Sequence, residues 1–178
     1  MGGYHAVVLA VDGAVWVWGH NRAGQLGVSD NFCTDDCILK TPAPLAQFPR
    51  FFIVSASAGW GNTVLLTSNN EILICGRNCS GQLGIPVNAC DLNDRGAPCS
   101  CNFVTLCSGE NVKNVTSTWL GTIVEYEDKT ILWGEARGAY EWWTGDILPS
   151  EKHVPVESQQ KLIWTDRSDQ PNSFFYKT

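Results

Sequence analysis

The sequence predicts an all-β repeat protein, and three observations carry that expectation. Residues 18–27, WGHNRAGQLG, return at 75–84 as CGRNCSGQLG, so that Gly19, Asn21, Gly24, Gln25, Leu26 and Gly27 recur as Gly76, Asn78, Gly81, Gln82, Leu83 and Gly84. Every one of the six lies 57 residues after its counterpart. Each copy is preceded by two short β-branched or aromatic runs around a turn, and no stretch carries a helical apolar period. A worn third copy, Trp133-Gly134-Glu135-Ala136-Arg137-Gly138, places Gly134 58 residues after Gly76. A repeat of this length is one supersecondary unit copied along the chain.

The first unit opens with AVVLAV (6–11) and AVWVW (14–18) around Asp12-Gly13. That dipeptide suits a tight hairpin turn with positive φ. The second hairpin is Thr63–Ser68 and Glu71–Cys75 around Asn69-Asn70, residues that tolerate the same backbone. The third is Thr122–Tyr126 and Thr130–Trp133 around Glu127-Asp128-Lys129. A glycine-rich motif follows each hairpin; its glycines suit sharp turns and close backbone approach, with Leu26 and Leu83 as apolar plugs. It lacks the Lys-Ser/Thr ending of a phosphate-binding loop and leads into no helix pattern. Then come polar segments and short strands: Thr41–Leu45 and Phe51–Ser55, Phe103–Cys107 and Val112–Ser117, Val154–Glu157 and Leu162–Thr165. The expected units are approximately 1–57, 58–116 and 117–166, four strands each. Residues 172–176, NSFFY, share the phase of Asn62–Leu66, so 167–178 begin a fourth unit and add one strand.

Composition narrows the function. The 178 residues are 44% hydrophobic and 17% charged, globular values. A net charge of −6 without a basic tract argues against nucleic acid and against an anionic membrane surface. No apolar run approaches the ~20 residues of a membrane span, and MGGYHA has neither the charged nor the apolar region of a signal peptide. The expected location is cytoplasmic or nuclear. The eight cysteines (Cys33, Cys37, Cys75, Cys79, Cys90, Cys99, Cys101, Cys107) are then expected as thiols. Disulfides remain the alternative, with formal glycosylation sequons at Asn78 and Asn114.

The hairpin, the Trp-Gly or Cys-Gly step and N-x-x-G-Q-L-G together resemble the repeat of the regulator of chromosome condensation family. Gly2-Gly3-Tyr4-His5-Ala6 and Ala58-Gly59-Trp60-Gly61-Asn62-Thr63 look like that repeat's Gly-x-x-His-Thr strand, with Asn62 in place of the histidine. The flavour is that of the family's cytosolic branch of secretion-regulating exchange factors. The resemblance covers nearly the whole chain and weakens in the third unit, where Tyr140-Glu141-Trp142-Trp143 stands near the lost GQLG. It implies a β-propeller of seven four-stranded antiparallel blades, of which this chain supplies about three blades and one extra strand. Three blades are too few to close a ring. The chain is therefore expected either to be a piece of a longer protein or to close by pairing with another chain.

Catalytic candidates are scarce. His5, His20 and His153 form no HxxxH pair or recognisable triad, and His5 matches the family's strand histidine, a structural hydrogen-bonding residue. Cys33-x-x-x-Cys37 and Cys99-x-Cys101 lack zinc-knuckle spacing and fall in different units, so thiols are expected there rather than a metal site. Trp16, Trp18 and Trp133 lie on strands, and Trp60 and Trp119 share one repeat phase, which points to packing. The family includes a plant ultraviolet photoreceptor with a tryptophan cluster, whose paired arrangement is not recognisable here. Adjacent Trp142 and Trp143 cannot both face a core if they lie on a strand, and so are a candidate contact surface. Acidic groups recur in the variable segments, Asp30, Asp35 and Asp36, then Asp91 and Asp94, then Asp146 and Glu151. Such a rim would attract a basic protein partner; ordinary solvated loops are the alternative.

The expected function is a protein–protein interaction or scaffold module that binds through its loop face, without cofactor or metal. The resemblance implies an alternative, guanine nucleotide exchange on a small GTPase by stabilising its nucleotide-free state. A non-functional fragment is the third reading.

Overall fold

The computed structural model describes residues 1–28, 37–45, 52–86, 90–92, 96–107, 111–134 and 156–158. Twelve strands account for its regular structure: β1 (His5–Leu9), β2 (Val15–His20), β3 (Ile38–Pro44), β4 (Ile53–Ala58), β5 (Asn62–Thr67), β6 (Glu71–Arg77), β7 (Asp91–Leu92), β8 (Pro98–Cys107), β9 (Val112–Ser117), β10 (Gly121–Tyr126), β11 (Thr130–Gly134) and β12 (Val156–Ser158). They form three antiparallel sheets in the orders β1-β2-β3, β4-β5-β6-β8-β7 and β12-β11-β10-β9. This is all-β architecture, three consecutive blades of a β-propeller.

The sheets and the sequence repeat are out of phase. Ile53–Ala58, at the end of the first repeat, pairs with β5 of the second, with Ala56 opposite Leu65 and Ala58 opposite Thr63. Val112–Ser117 likewise joins the third sheet through β10, Val124 opposite Val115. The first two units thus each hand their last strand to the next sheet, which ties neighbouring sheets together along the chain.

Two apolar layers fill the gaps between sheets. Leu65 and Leu73 face the first sheet and join Val15, Val17, Leu26, Val28, Leu39 and Ile53. Val64, Leu66, Ile72 and Ile74 point the other way, to Leu83, Val112, Val115, Val124 and Tyr126. The period of two along a strand explains the division. Because β5 is covered on both faces, all six of its residues are buried. That matches the near-continuous apolar run in the sequence. Each fully buried Leu, Ile or Val contributes about 1.5–3 kcal/mol.

The hairpin turns differ from the expected two-residue form. Leu9 pairs with Val15, leaving five residues in the first loop. Gly13 alone takes a positive φ, 83°, while the Asp12 carboxylate accepts the Ala14 N–H at 3.0 Å. In the second hairpin Asn70 occupies the same phase with φ 62°. Asn reaches this region more readily than other side chains, and the Thr67 hydroxyl receives the Glu71 N–H at 3.0 Å. The segment after the second motif also holds more strand than its polar composition suggests. β8 begins at Pro98 rather than Phe103, and β7 adds a short fifth strand at its edge.

Candidate interaction surface

The glycine motif builds the same object twice. In the first copy the Asn21 Oδ1 accepts the Leu26 N–H at 2.9 Å, and its Nδ2 donates to the Val28 carbonyl at 3.4 Å. In the second, Asn78 Oδ1 accepts from Leu83 at 2.9 Å and Nδ2 donates to Ile85 at 3.1 Å. Gln25 and Gln82 turn back to accept the N–H groups of Ala23 and Ser80, both at 2.9 Å. Backbone bonds from Gly24 to Asn21 and Gly81 to Asn78 close the same turn. Leu26 and Leu83 are fully buried plugs. The side-chain amides therefore replace the missing ladder bonds of a loop that is sealed from water.

The sealed loop docks on the next sheet. Gly24 lies against the backbone of Cys101 and Gly27 against the Phe103 ring, both on β8; Gly84 lies against the Trp133 ring on β11. The Gln25 backbone rests on Gly76, and the Gln82 backbone on Gly134. Gly76 has φ 108°, and a Cβ there would meet the Gly61 carbonyl and lie 2.7 Å from the Asn62 Cα. Only glycine fits this step.

A polar latch crosses each junction at the same level. His5 Nε2 is 2.8 Å from the Thr63 hydroxyl, and that hydroxyl donates to the Gln25 carbonyl at 2.6 Å. Since the single hydroxyl proton goes to Gln25, His5 Nε2 carries the donated proton. At the next junction Asn62 Nδ2 donates to the Thr122 hydroxyl at 3.1 Å. Histidine and asparagine thus do one job at one repeat phase. The His5 Nδ1 is buried without a partner, and burial, helped by the nearby N-terminal ammonium, lowers the imidazole from its usual 6.5 to about 4.

The exposed chemistry at this end is aromatic. Tyr4 meets His20 and Trp60 edge-on, each with ring centroids 5.6 Å apart. Trp60 stacks on Trp119 at 5.3 Å with 24° between planes, and the Arg77 guanidinium lies 4.8 Å over Trp60. Tyr4 is 56% and Trp119 37% exposed. The strip spans all three sheets, since these residues stand at the starts of β1, β5 and β10 and the ends of β2 and β6. Sequence reasoning assigned Trp60 and Trp119 to packing; their shared phase was the available signal, and their stacking keeps one edge of the pair open.

Of the expected contact residues, Asp30, Asp35, Asp36, Asp94, Trp142 and Trp143 lie outside the described residues. Asp91 is placed by its backbone in β7, pairing with Cys99. Cys37, Cys75, Cys79, Cys90, Cys99 and Cys101 stand as thiols, with no disulfide among them. Cys75 is buried, and desolvation, then the Cys101 thiol, pushes its pKa up, away from reactivity. Asn78 is wholly buried, which leaves that sequon no room for a glycan, while half-buried Asn114 donates to Glu125 at 3.2 Å. No group of three metal-ligating side chains occurs among the described residues, and no helix there is long and apolar enough to cross a membrane.

Comparison with known proteins agrees with this architecture. Family models described as the regulator of chromosome condensation repeat match residues 12–66 and 53–82. The secretion-regulating guanine nucleotide exchange factor of Bos taurus is 36% identical over 85 residues, 48% of this chain and 17% of that protein. The ultraviolet-B receptor UVR8 of Arabidopsis thaliana is 36% identical over 81 residues, 46% of this chain and 17% of that one. The match thus spans about a sixth of either relative's length. Among solved structures, Prp20p of Saccharomyces cerevisiae superposes with a TM-score of 0.69 at 23% identity, over 88% of this chain and 36% of that one. Residues 12–82 thus match the regulator of chromosome condensation repeat, and the described sheets fold as part of a β-propeller like that of Prp20p.

Proposed function

We propose that this chain is a protein-binding module that engages its partner at the motif end of the sheets. The observation that supports this is the Tyr4–Trp60–Trp119 strip with Arg77. Large, partly exposed aromatics beside an arginine are the side chains enriched where protein interfaces concentrate their energy. The repeated motif itself is occupied with holding sheets together, so binding falls to what surrounds it. Asp30, Asp35 and Asp36, and Asp91 and Asp94, which follow the two motifs in the sequence, would favour a partner with a basic surface. The cytoplasm or nucleus suits such a role and the reduced thiols.

A second reading, guanine nucleotide exchange on a small GTPase, is favoured by the identity to the bovine exchange factor; Prp20p, too, is described with binding to Gsp1p and histones. Affinity capture followed by a GDP-release assay separates the two. The module reading expects a partner retained by the wild-type chain and lost about tenfold or more with Trp119→Ala, with GDP release from a panel of GTPases unchanged. Accelerated release would establish exchange, and capture indifferent to Trp119→Ala would remove the strip from the interface.

A further inference from the structure

We propose that the turn end of the junction between the first two sheets docks a basic amphipathic segment of a partner protein. An apolar side chain of that segment seats on Phe52, and a lysine or arginine beside it pairs with Asp12. Val11, on the β1–β2 turn, is fully exposed. Phe52 and Val54, which flank the buried Ile53 at the start of β4, are 52% and 48% exposed. The three belong to one surface. The Phe52 ring lies against Gly13, two residues beyond Val11. The Phe52 carbonyl accepts the Ser68 N–H at 2.8 Å, which ties it to the β5–β6 turn as well. The glycine motifs and the aromatic strip stand at the opposite end of the strands.

The next junction has the same geometry and different chemistry. Ser68, Asn69 and Asn70 stand 57 residues after Val11, Asp12 and Gly13. Asn111 and Lys113 stand 59 residues after Phe52 and Val54, a phase fixed by the pairing of Ile53 with Thr67 and of Val112 with Tyr126. There Asn70 Nδ2 donates to Asn111 Oδ1 at 3.2 Å, where Gly13 meets the Phe52 ring. Lys113 pairs with Glu127 at 2.9 Å, where Val54 offers a branched apolar side chain to water. Ser68, Asn111 and Lys113 are all exposed, although the second sheet is packed on both faces. Water therefore reaches these positions even where both neighbouring sheets are in place. Polar groups fill them at one junction and large apolar groups at the other. A cluster of exposed apolar side chains of this kind marks contact with another molecule.

Charge selects the occupant. Asp12 sets an exposed carboxylate beside Val11, where the second junction has the neutral Asn69. One of its oxygens accepts the Ala14 N–H at 3.0 Å, which fixes the group at the rim of the patch. The chain as a whole carries −6, so the local and the overall field both draw a cation. Apolar patch and acid together fit a segment that carries a large apolar anchor close to a lysine or arginine. An aromatic anchor gains most, ring against ring on Phe52.

The test selects a phage-displayed peptide library on the full 178-residue chain. Counter-selection uses the triple variant Val11→Ser, Phe52→Asn, Val54→Lys, which carries the residues of the second junction. Those residues already stand in a folded junction of this chain, so the variant is expected to melt within about 4 °C of wild type. Peptides retained by wild type alone should share an aromatic or aliphatic residue close to a lysine or arginine. Their affinity should fall about tenfold or more in the triple variant and about threefold with Asp12→Asn. It should be unchanged with Trp119→Ala, which separates this surface from the aromatic strip. The proposal is overturned if no retained peptide depends on the patch, or if the shared sequence is acidic or uncharged. It is also overturned if Trp119→Ala weakens the peptides as much as the triple variant does. Where the triple variant does not fold, Asp12→Asn decides alone, and unchanged affinity overturns the proposal.

Discussion

Gly76→Ala is expected to lower stability by about 4 kcal/mol or more, most of the margin of a domain that is stable by only ~5–15 kcal/mol. Two costs combine. A left-handed backbone at φ 108° costs a non-glycine residue roughly 1–3 kcal/mol. The added Cβ also runs into the Gly61 carbonyl and the Asn62 Cα, backbone atoms that cannot swing aside, and it presses on Gln25 from the preceding sheet. Two controls separate these terms. Gly96 has φ 72° but nothing within 4 Å of a Cβ, so Gly96→Ala should cost only the backbone term, about 1 kcal/mol. Gly61, whose nearest neighbour to a Cβ is Arg77 at 3.5 Å, should accept alanine within about 0.5 kcal/mol. Thermal melts of the three variants check the ordering; equal melting temperatures for Gly76→Ala and Gly96→Ala would remove the close docking between sheets.

Acidification is expected to loosen the first junction through His5. Its imidazole is held neutral in the folded chain, with a pKa near 4 against the usual 6.5. Above pH 6.5 both folded and unfolded chains carry it neutral, and its contribution is fully present. As pH falls from 6.5 toward 4 the unfolded chain takes up the proton and the folded chain does not, so stability is progressively lost. At 1.36 kcal/mol per pH unit the total is about 3 kcal/mol. His5→Asn supplies the neutral donor that Asn62 supplies at the next junction, and should retain the bond to Thr63 while removing this loss. Denaturant unfolding at pH 7, 6, 5 and 4 reads it as the difference between wild type and variant, which cancels the carboxylates they share. Parallel curves over that range would contradict the burial of an unpartnered Nδ1.

The repeat was legible because its residues answer to local rules. Alternating apolar strands, turn residues at Gly13 and Asn70, and the N-x-x-G-Q-L-G signature each constrain a few neighbouring positions. The role of Asn21 and Asn78 follows almost as directly, because a buried turn needs a side chain to satisfy its backbone. What could not be read was where one sheet ends and the next begins. A sequence period fixes the unit length but not the cut, and Ile53–Ala58 reads equally well as the end of one unit or the start of another. β7 was hidden for a different reason: two residues, Asp91 and Leu92, are too short to show alternation. The aromatic strip depends on sheets lying side by side, so that Tyr4, Trp60 and Trp119 meet across more than a hundred residues of chain. Only the shared phase of the two tryptophans hinted at it. Apart from Asp91, placed in β7, the acidic residues of the variable segments and Trp142-Trp143 lie outside the described residues.

The glycine motif is a sealed latch between sheets and not an open loop that holds a ligand. Amide exchange at Leu26 and Leu83 tests it most directly, because their N–H groups donate to Asn21 and Asn78 inside the structure. Both amides should exchange as slowly as those of Val64 and Ile74 in the core, unchanged by added nucleotide, and Asn78→Ala should speed Leu83 by tenfold or more. Exchange at Leu26 and Leu83 as fast as in an exposed loop, or protection that appears only when nucleotide is added, would contradict it.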